Sequence, residues 1–241
     1  MTPRTFLTKK SAKTFETILE TATRLFRTKG YPGTTMRDLA RESGLGLGAL
    51  YYYFQSKEEL VMRFYENSST QTIAAFRART DPPNNLPDAL TELIHLKLEH
   101  FLPYRDLLRV VMKVAVDPDS PLCPLHPASA SILKENIQLF QELVEQTNTA
   151  KGQEALEMAR GLWMGQMGIL TYWLHDRSPN YEATYRAIQI LASAVRLSTI
   201  MGRIPGFGTL RRQMLAIISN LFAEAETEEA TELEKPEESE P

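Results

Sequence analysis

The stretch from Thr34 to Leu60, TTMRDLARESGLGLGALYYYFQSKEEL, leaves few folding options open. Thr35 is placed to cap a helix, and Asp38, three residues on, stands where a capping-box acid or a helix-dipole partner belongs. Leu39 and Ala40 give that helix a small apolar face. Ser43-Gly44 ends it, because glycine enters the left-handed region without steric cost. Leu45 plugs the corner, and a second short helix follows through Gly48, Ala49, Leu50, Tyr51, Tyr52, Tyr53 and Phe54. Ser56-Lys57-Glu58-Glu59 then reads as a capping box that opens a third helix. Helix, glycine turn and short helix is the helix-turn-helix arrangement, whose second helix lies in the DNA major groove.

Upstream, Phe15, Ile18, Leu19, Ala22, Leu25 and Phe26 recur as one apolar stripe of a 3.6-residue period, predicting a helix from Ser11 to Lys29. With Gly30-Tyr31 and the motif itself, these residues resemble the TetR/AcrR family of bacterial transcriptional regulators. The resemblance covers the first quarter of the chain without gaps. Two departures thin out the base-reading side chains: Gly46 stands where the family usually has a polar residue, and Ala49 where it often has a hydroxyl.

The resemblance implies an all-α fold: an N-terminal three-helix helix-turn-helix domain followed by a helical-bundle regulatory and dimerisation domain. It implies that Arg37 reads bases or phosphate, and an arginine meets guanine O6 and N7 in bidentate fashion. Leu47, Gly48 and Ala49 would face base edges, where their apolar surface meets only thymine methyls. Tyr51 and Tyr52 would touch phosphates, with Tyr53 at the far rim. Lys57 adds a cation to a helix N-terminus, a suitable phosphate anchor. Thr34 and Thr35 are further phosphate candidates, with a purely local cap the alternative for Thr35.

The charge distribution agrees with a polyanion partner for this end of the chain. Residues 1–63 carry eleven Lys/Arg against six acids, whereas residues 224–241 hold nine Glu against one Lys, within an overall net charge of −3. We therefore expect a flexible basic arm over 1–10, the DNA-binding domain over 11–60, a helical ligand-binding and dimerisation domain over 61–223, and a disordered acidic tail over 224–241. Hydrophobic residues at 43% without any run of about eighteen indicate no membrane span. A single cysteine, Cys123, excludes an internal disulfide and points to a reducing cytoplasm, on the nucleoid when bound to DNA.

The body should be helical over 57–79, 87–102, 104–116, 127–148, 152–175, 180–201 and 208–223. Breaks fall at Asp81-Pro82-Pro83-Asn84-Asn85, at Pro103 and in the proline-rich 117–127. Phe101, Tyr104, Leu108 and Met112 on earlier helices, with Trp163, Met164, Met167, Tyr172 and Trp173 on a later one, are candidates for an apolar small-molecule pocket; plain core packing is the alternative. Arg105, Arg109 and Lys113 share a face that either greets an anionic ligand or is solvated. Gly161, Gly165 and Gly168, spaced to let a helix approach closely, and Ile188, Leu191 and Val195 are candidates for a homodimer interface, because the resemblance implies that two late long helices pair into a four-helix bundle; a contact within the chain, or a kink that opens the pocket, is the alternative for the glycines. His95, His100, His126 and His175 lack metal-ligand spacing, so no metal is expected, nor any cofactor. No nucleophile–base pair, carboxylate pair or phosphate loop indicates an enzyme. The partners implied are a double-stranded DNA operator, a second copy of the chain and a largely apolar small-molecule effector that releases a repressor from DNA. The alternative is a protein of the same fold that binds lipid or a partner without regulating genes.

Overall fold

A computed structural model describes residues 9–201, 213–218 and 222. The fold is all-α. Its helices are α1 (Lys9–Lys29), α2 (Met36–Glu42), α3 (Leu47–Tyr53), α4 (Lys57–Arg77), α5 (Leu86–Phe101), α6 (Arg105–Ala115), α7 (Ala130–Gln146), α8 (Gly152–His175) and α9 (Glu182–Met201). Short 3₁₀ turns at Leu102–Tyr104, Pro127–Ser129 and Pro179–Tyr181 lead into α6, α7 and α9. The start at Lys9 takes two residues of the expected arm into α1; residues 1–8 and the acidic tail 224–241 lie outside the described residues, as does much of the expected helix 208–223. Among the described residues, no helix is long and apolar enough to cross a membrane.

The predicted stripe of α1 is buried throughout and packs on Leu39 and Ala40 of α2, Leu50 of α3 and Phe54. Phe15 meets Phe54 with ring centroids 5.7 Å apart. The turn between α2 and α3 closes as the sequence requires. Gly44 has φ +71°, and the amides of Gly44 and Leu45 return to the carbonyls of Arg41 (3.3 Å) and Ala40 (2.9 Å).

The capping box of α2 forms in full: Thr35 Oγ1 accepts from the Asp38 amide (3.2 Å), and Asp38 Oδ2 accepts from the Thr35 amide (3.1 Å). The box expected at α4 forms by half. Ser56 Oγ accepts from the Glu59 amide (3.1 Å), but Glu59 reaches past Ser56 to the Gln55 amide (2.7 Å).

Two elements tie this head to the body. The helix α4 begins at the motif and runs on for 21 residues between α5 and α7. The helix α6 lies against α1, and Arg27 Nη1 meets Asp106 Oδ2 at 3.1 Å. In the body, α7 packs along α8, and α9 crosses both α5 and α8.

Candidate functional site

The solvent-facing side of α2 and α3 is built by what the core leaves outside. Leu50 and Phe54 are buried, so helical geometry turns Gly48, Ala49, Tyr51 and Tyr52 outward; Tyr52 is 69% exposed. Leu47 and Tyr53 are half-buried against the core. A Cβ added at Gly46 or Gly48 would meet nothing within 4 Å, so neither glycine is required by packing inside the chain. The face presents a bare backbone edged by two tyrosines.

Ion pairing sorts the cations of the head. Asp38 binds Lys29 (2.8 Å) and Arg41 (3.0 Å), and Glu42 binds Arg24 (2.9 Å) and Arg41 (3.3 Å). The Lys29 ammonium, helped by Thr35, holds the Asp38 carboxyl well below the usual carboxylate range. Arg37 is exposed and, among the described residues, makes no side-chain hydrogen bond or ion pair. Its guanidinium is ready for an external acceptor, and Thr35, Tyr51 and Tyr52 are exposed as well.

Two expected phosphate contacts are corrected. Thr34 is buried, with its hydroxyl donated to the Gly30 carbonyl (2.9 Å), so it closes the turn after α1. Lys57 is half-buried. Its ammonium donates to the carbonyls of Tyr31 (2.7 Å) and Thr34 (3.3 Å) and lies 4.4 Å from the Tyr31 ring centroid. A lysine inside the curve of an irregular turn satisfies carbonyls that lack helical partners; Lys57 staples that turn to α4.

The body holds a cavity of about 110 Å³ between α4, α5, α6, α7 and α8. Phe101, Leu108, Met112, Trp163 and Met167, five of the expected pocket residues, line it. Three others stand elsewhere. Tyr172 is 48% exposed on the outer side of α8. Trp173 is buried between Arg105 and Tyr181 at the end of α8. Tyr104 packs edge-on against Phe64, 4.9 Å between centroids, at the junction of head and body. Met164 is half-buried on α8 and is not among the lining residues. A wider hollow of about 580 Å³ is walled by Lys134, Gln138, Glu142 and Arg160 together with Leu133, Ile137 and Phe222, a mixed polar and apolar surface.

The cavity also holds a polar cluster that the sequence reading missed. Lys97, only 7% exposed, donates to Asn136 Oδ1. The Asn136 amide nitrogen donates in turn to Ser69 Oγ (2.8 Å) and to the Ile132 carbonyl (2.8 Å). Burial pushes the Lys97 ammonium down to about 7. Gln166 is buried across the lining, and its side-chain oxygen has no partner.

Two of the three glycines of α8 face neighbours within the chain. A Cβ at Gly165 would lie 3.2 Å from Leu191 of α9, and one at Gly161 would lie 3.1 Å from Leu215, so both admit neighbours within the same chain. Ile188 and Val195 are buried in that packing, and Leu191 is half-buried there. Gly168 alone of the three is exposed. The apolar side chains that α9 leaves outside are Tyr185, Ile190, Leu197 and Ile200.

A glycine-turned pair of short helices on a three-helix core, continued by a helical body around a cavity, defines a helix-turn-helix regulator of the TetR type. Comparison with known proteins agrees. The chain matches the model of bacterial regulatory proteins of the tetR family over residues 18–63 and that of the tetracyclin repressor-like C-terminal domain over residues 90–203. It is 31% identical to the HTH-type transcriptional regulator LmrA of Bacillus subtilis over 163 residues, 64% of this chain and 84% of that protein. It is 30% identical to the HTH-type regulator YuxN of the same organism over 99 residues, 40% of this chain and 33% of that protein. Several relatives, YuxN among them, are matched over only about a third to two thirds of their own length. In fold the chain is similar to the regulator FadR of Bacillus subtilis in complex with stearoyl-CoA: TM-score 0.59 at 15% identity, covering 74% of this chain and 97% of that one. The chain belongs to the TetR family.

Proposed function

We propose that this chain is a sequence-reading DNA-binding repressor that leaves its operator when a small, largely apolar molecule occupies the body cavity. The observation that carries this reading is the unpaired Arg37 beside the outward face of α3, on a head joined to the cavity wall by α4 and α6. In this reading the head is residues 11–60 and the body 61–223. Thr35, Arg37, Leu47, Gly48, Ala49, Tyr51, Tyr52 and Tyr53 face DNA, while Thr34 and Lys57 shape the surface from behind. With so few polar atoms on α3, Arg37 and the shape of the duplex supply most of the discrimination.

The switch needs no chemistry. Tyr65, Ser69 and Thr72 of α4 and Leu108, Met112 and Ala115 of α6 line the cavity. A ligand that fits one disposition of these helices better than another shifts the population of head positions. Two heads must span successive major grooves, about 34–36 Å apart, so a small tilt of α4 or α6 costs operator affinity.

Pairing of the heads is assigned to the outer faces of α8 and α9, where Tyr172, Tyr185, Ile190, Leu197 and Ile200 are exposed. Ile190→Asp should shift the chain from dimer to monomer in light scattering, without loss of helicity by circular dichroism. An unchanged dimer would place the interface elsewhere.

The direct test is fluorescence anisotropy on DNA from immediately upstream of the gene, across a salt series. Arg37→Ala should weaken specific binding by roughly five- to a hundredfold, the range of one bidentate base contact. Equal affinity of wild type and variant for that DNA and for random DNA would contradict sequence reading by Arg37.

A further inference from the structure

The cavity lining is mostly apolar, with polar side chains from α4, α5, α7 and α8, and the charge it carries is one-signed. Among its described lining residues Lys97 is the only charged one, and no carboxylate of the described residues pairs with it. A buried ammonium normally has a counter-charge, because desolvation makes an unpaired one costly. Lys97 has the neutral oxygen of Asn136 and, at 5.9 Å, the Phe140 ring. Asn136 cannot turn to offer more, since both hydrogens of its amide are committed to Ser69 and Ile132.

Three N–H bonds of an ammonium against one recorded acceptor leave donors for a further acceptor. The Ser69 hydroxyl accepts from Asn136 and keeps its own proton to give. Gln166 has an amide whose oxygen is unsatisfied; a half-turn of that amide presents its NH₂ group to an incoming acceptor instead. Donors thus surround an opening otherwise walled by Phe101, Leu108, Met112, Trp163 and Leu170.

We infer that the cavity is a site for a small organic carboxylate, its anionic head held by Lys97 with Ser69 and Gln166, and its apolar body between α6 and α8. The volume of about 110 Å³ limits the body. A protein cavity of about 150 Å³ takes benzene, so the fit is to roughly half a dozen non-hydrogen atoms, a short aliphatic acid, with benzoate beyond the limit. The inference rests on the reading of this cavity as the effector site, and it fixes the chemical class of the effector.

The test separates the two. Binding is followed without DNA by isothermal calorimetry and by the fluorescence of Trp163, using sodium benzoate and the straight-chain carboxylates from acetate to octanoate, each against its neutral primary amide. At least one carboxylate should bind roughly ten- to a hundredfold tighter than its amide, the range of a buried charge-assisted contact. Lys97→Met should erase that preference. Asn136→Asp, which supplies an internal counter-ion, should erase it while keeping Lys97. Equal affinities of acid and amide throughout, no binding by any carboxylate of the series, or a preference that survives in Lys97→Met would each overturn the inference. Operator release is then read by anisotropy. A carboxylate that binds through Lys97 but leaves the DNA complex intact would sustain the carboxylate site and overturn its role as effector site; release by a neutral molecule alone would do the reverse.

Discussion

Replacing Lys97 by methionine is expected to stabilise the fold by about 2–3 kcal/mol at pH 6, in the absence of ligand. Burial lowers this ammonium from 10.5 to about 7. Each unit is worth about 1.4 kcal/mol, so keeping the charge inside at low pH costs about 4–5 kcal/mol. Methionine has similar length, fills the same space and carries no charge. It leaves Asn136 Oδ1 without its donor, which offsets about 1–2 kcal/mol of the gain. The sign of the pH dependence follows from the lowered value. Between pH 7 and 10.5 the unfolded chain binds a proton that the folded chain has lost, so wild-type stability rises with pH through this window. The variant lacks the group, and its advantage should shrink by about 2–3 kcal/mol from pH 6 to pH 9. Urea unfolding of both proteins at pH 6, 7.5 and 9 measures this. A difference that stays constant with pH, or a variant less stable at pH 6, would show that the charge is not held in a dry site.

A residue so costly to keep charged in a dry site gains most from an entering group that answers its charge. Stability gained by methionine and carboxylate preference lost by methionine are two faces of one arrangement. The desolvated cation is expensive in the empty protein, and the same desolvation strengthens its attraction to an anion that enters.

The head was legible in the sequence because its determinants are local. A cap three residues from its acid, a glycine at the one position that needs φ > 0 and an apolar stripe of helical period all act within a turn or two of the chain. The limits of α8 were equally legible, for the same reason. What lay deeper was partner identity. The small residues of α8 announce a close helix approach, but spacing alone does not say whose helix comes near; the answer is Leu191 and Leu215 of the same chain. Aromatic crowding in α8 suggested that Trp163, Tyr172 and Trp173 share a pocket, whereas residues 163, 166, 167, 170 and 174 follow the 3.6 period into the cavity. The period, not the residue type, was the better guide.

The same period held the signal for the polar cluster. On α5, Leu93, Ile94 and Leu98 are buried, and Lys97 continues their stripe at i+4 and i+3. On α4, Ser68, Ser69 and Thr72 take buried positions between Phe64 and Ile73; on α7, Asn136 precedes Ile137, Leu139 and Phe140. Three stripes each interrupted by a hydrogen-bonding residue indicate a shared polar site. Which interruptions meet is a tertiary fact that one stripe does not contain.

Arg105→Ala is expected to destabilise the protein by about 3 kcal/mol, lowering Tm by roughly 6–10 °C. Arg105 was a candidate for meeting an anionic ligand; instead its guanidinium caps the end of α8. It donates to the carbonyls of Trp173 (2.7 Å), Leu174 (3.3 Å) and Asp176 (2.7 Å) at the helix C-terminus, where the i→i+4 ladder runs out; that of Trp173 also accepts from the Asp176 amide (3.2 Å). It also lies 5.3 Å from the Trp173 ring and 4.8 Å from that of Tyr181. Alanine takes this donor from the part-buried carbonyls of Leu174 and Asp176, while that of Trp173 keeps the Asp176 amide (3.2 Å). Arg105→Lys should recover less than half of the loss, because an ammonium lacks the planar fork that spreads over several acceptors and stacks on rings. Position matters as much as energy. Arg105 opens α6, its neighbour Asp106 meets Arg27 of α1, and Leu108 and Met112 further along reach the cavity. The helix that lines the cavity is thus clamped to α8 and to the head at one and the same end. Loosening the clamp should shrink the ligand-dependent change in operator affinity while leaving ligand binding at the far end of α6 in place. Thermal unfolding, calorimetry and anisotropy on the alanine variant measure the three quantities separately. Unaltered Tm would refute the cap, and an unaltered response to ligand would show that α4 alone carries the signal.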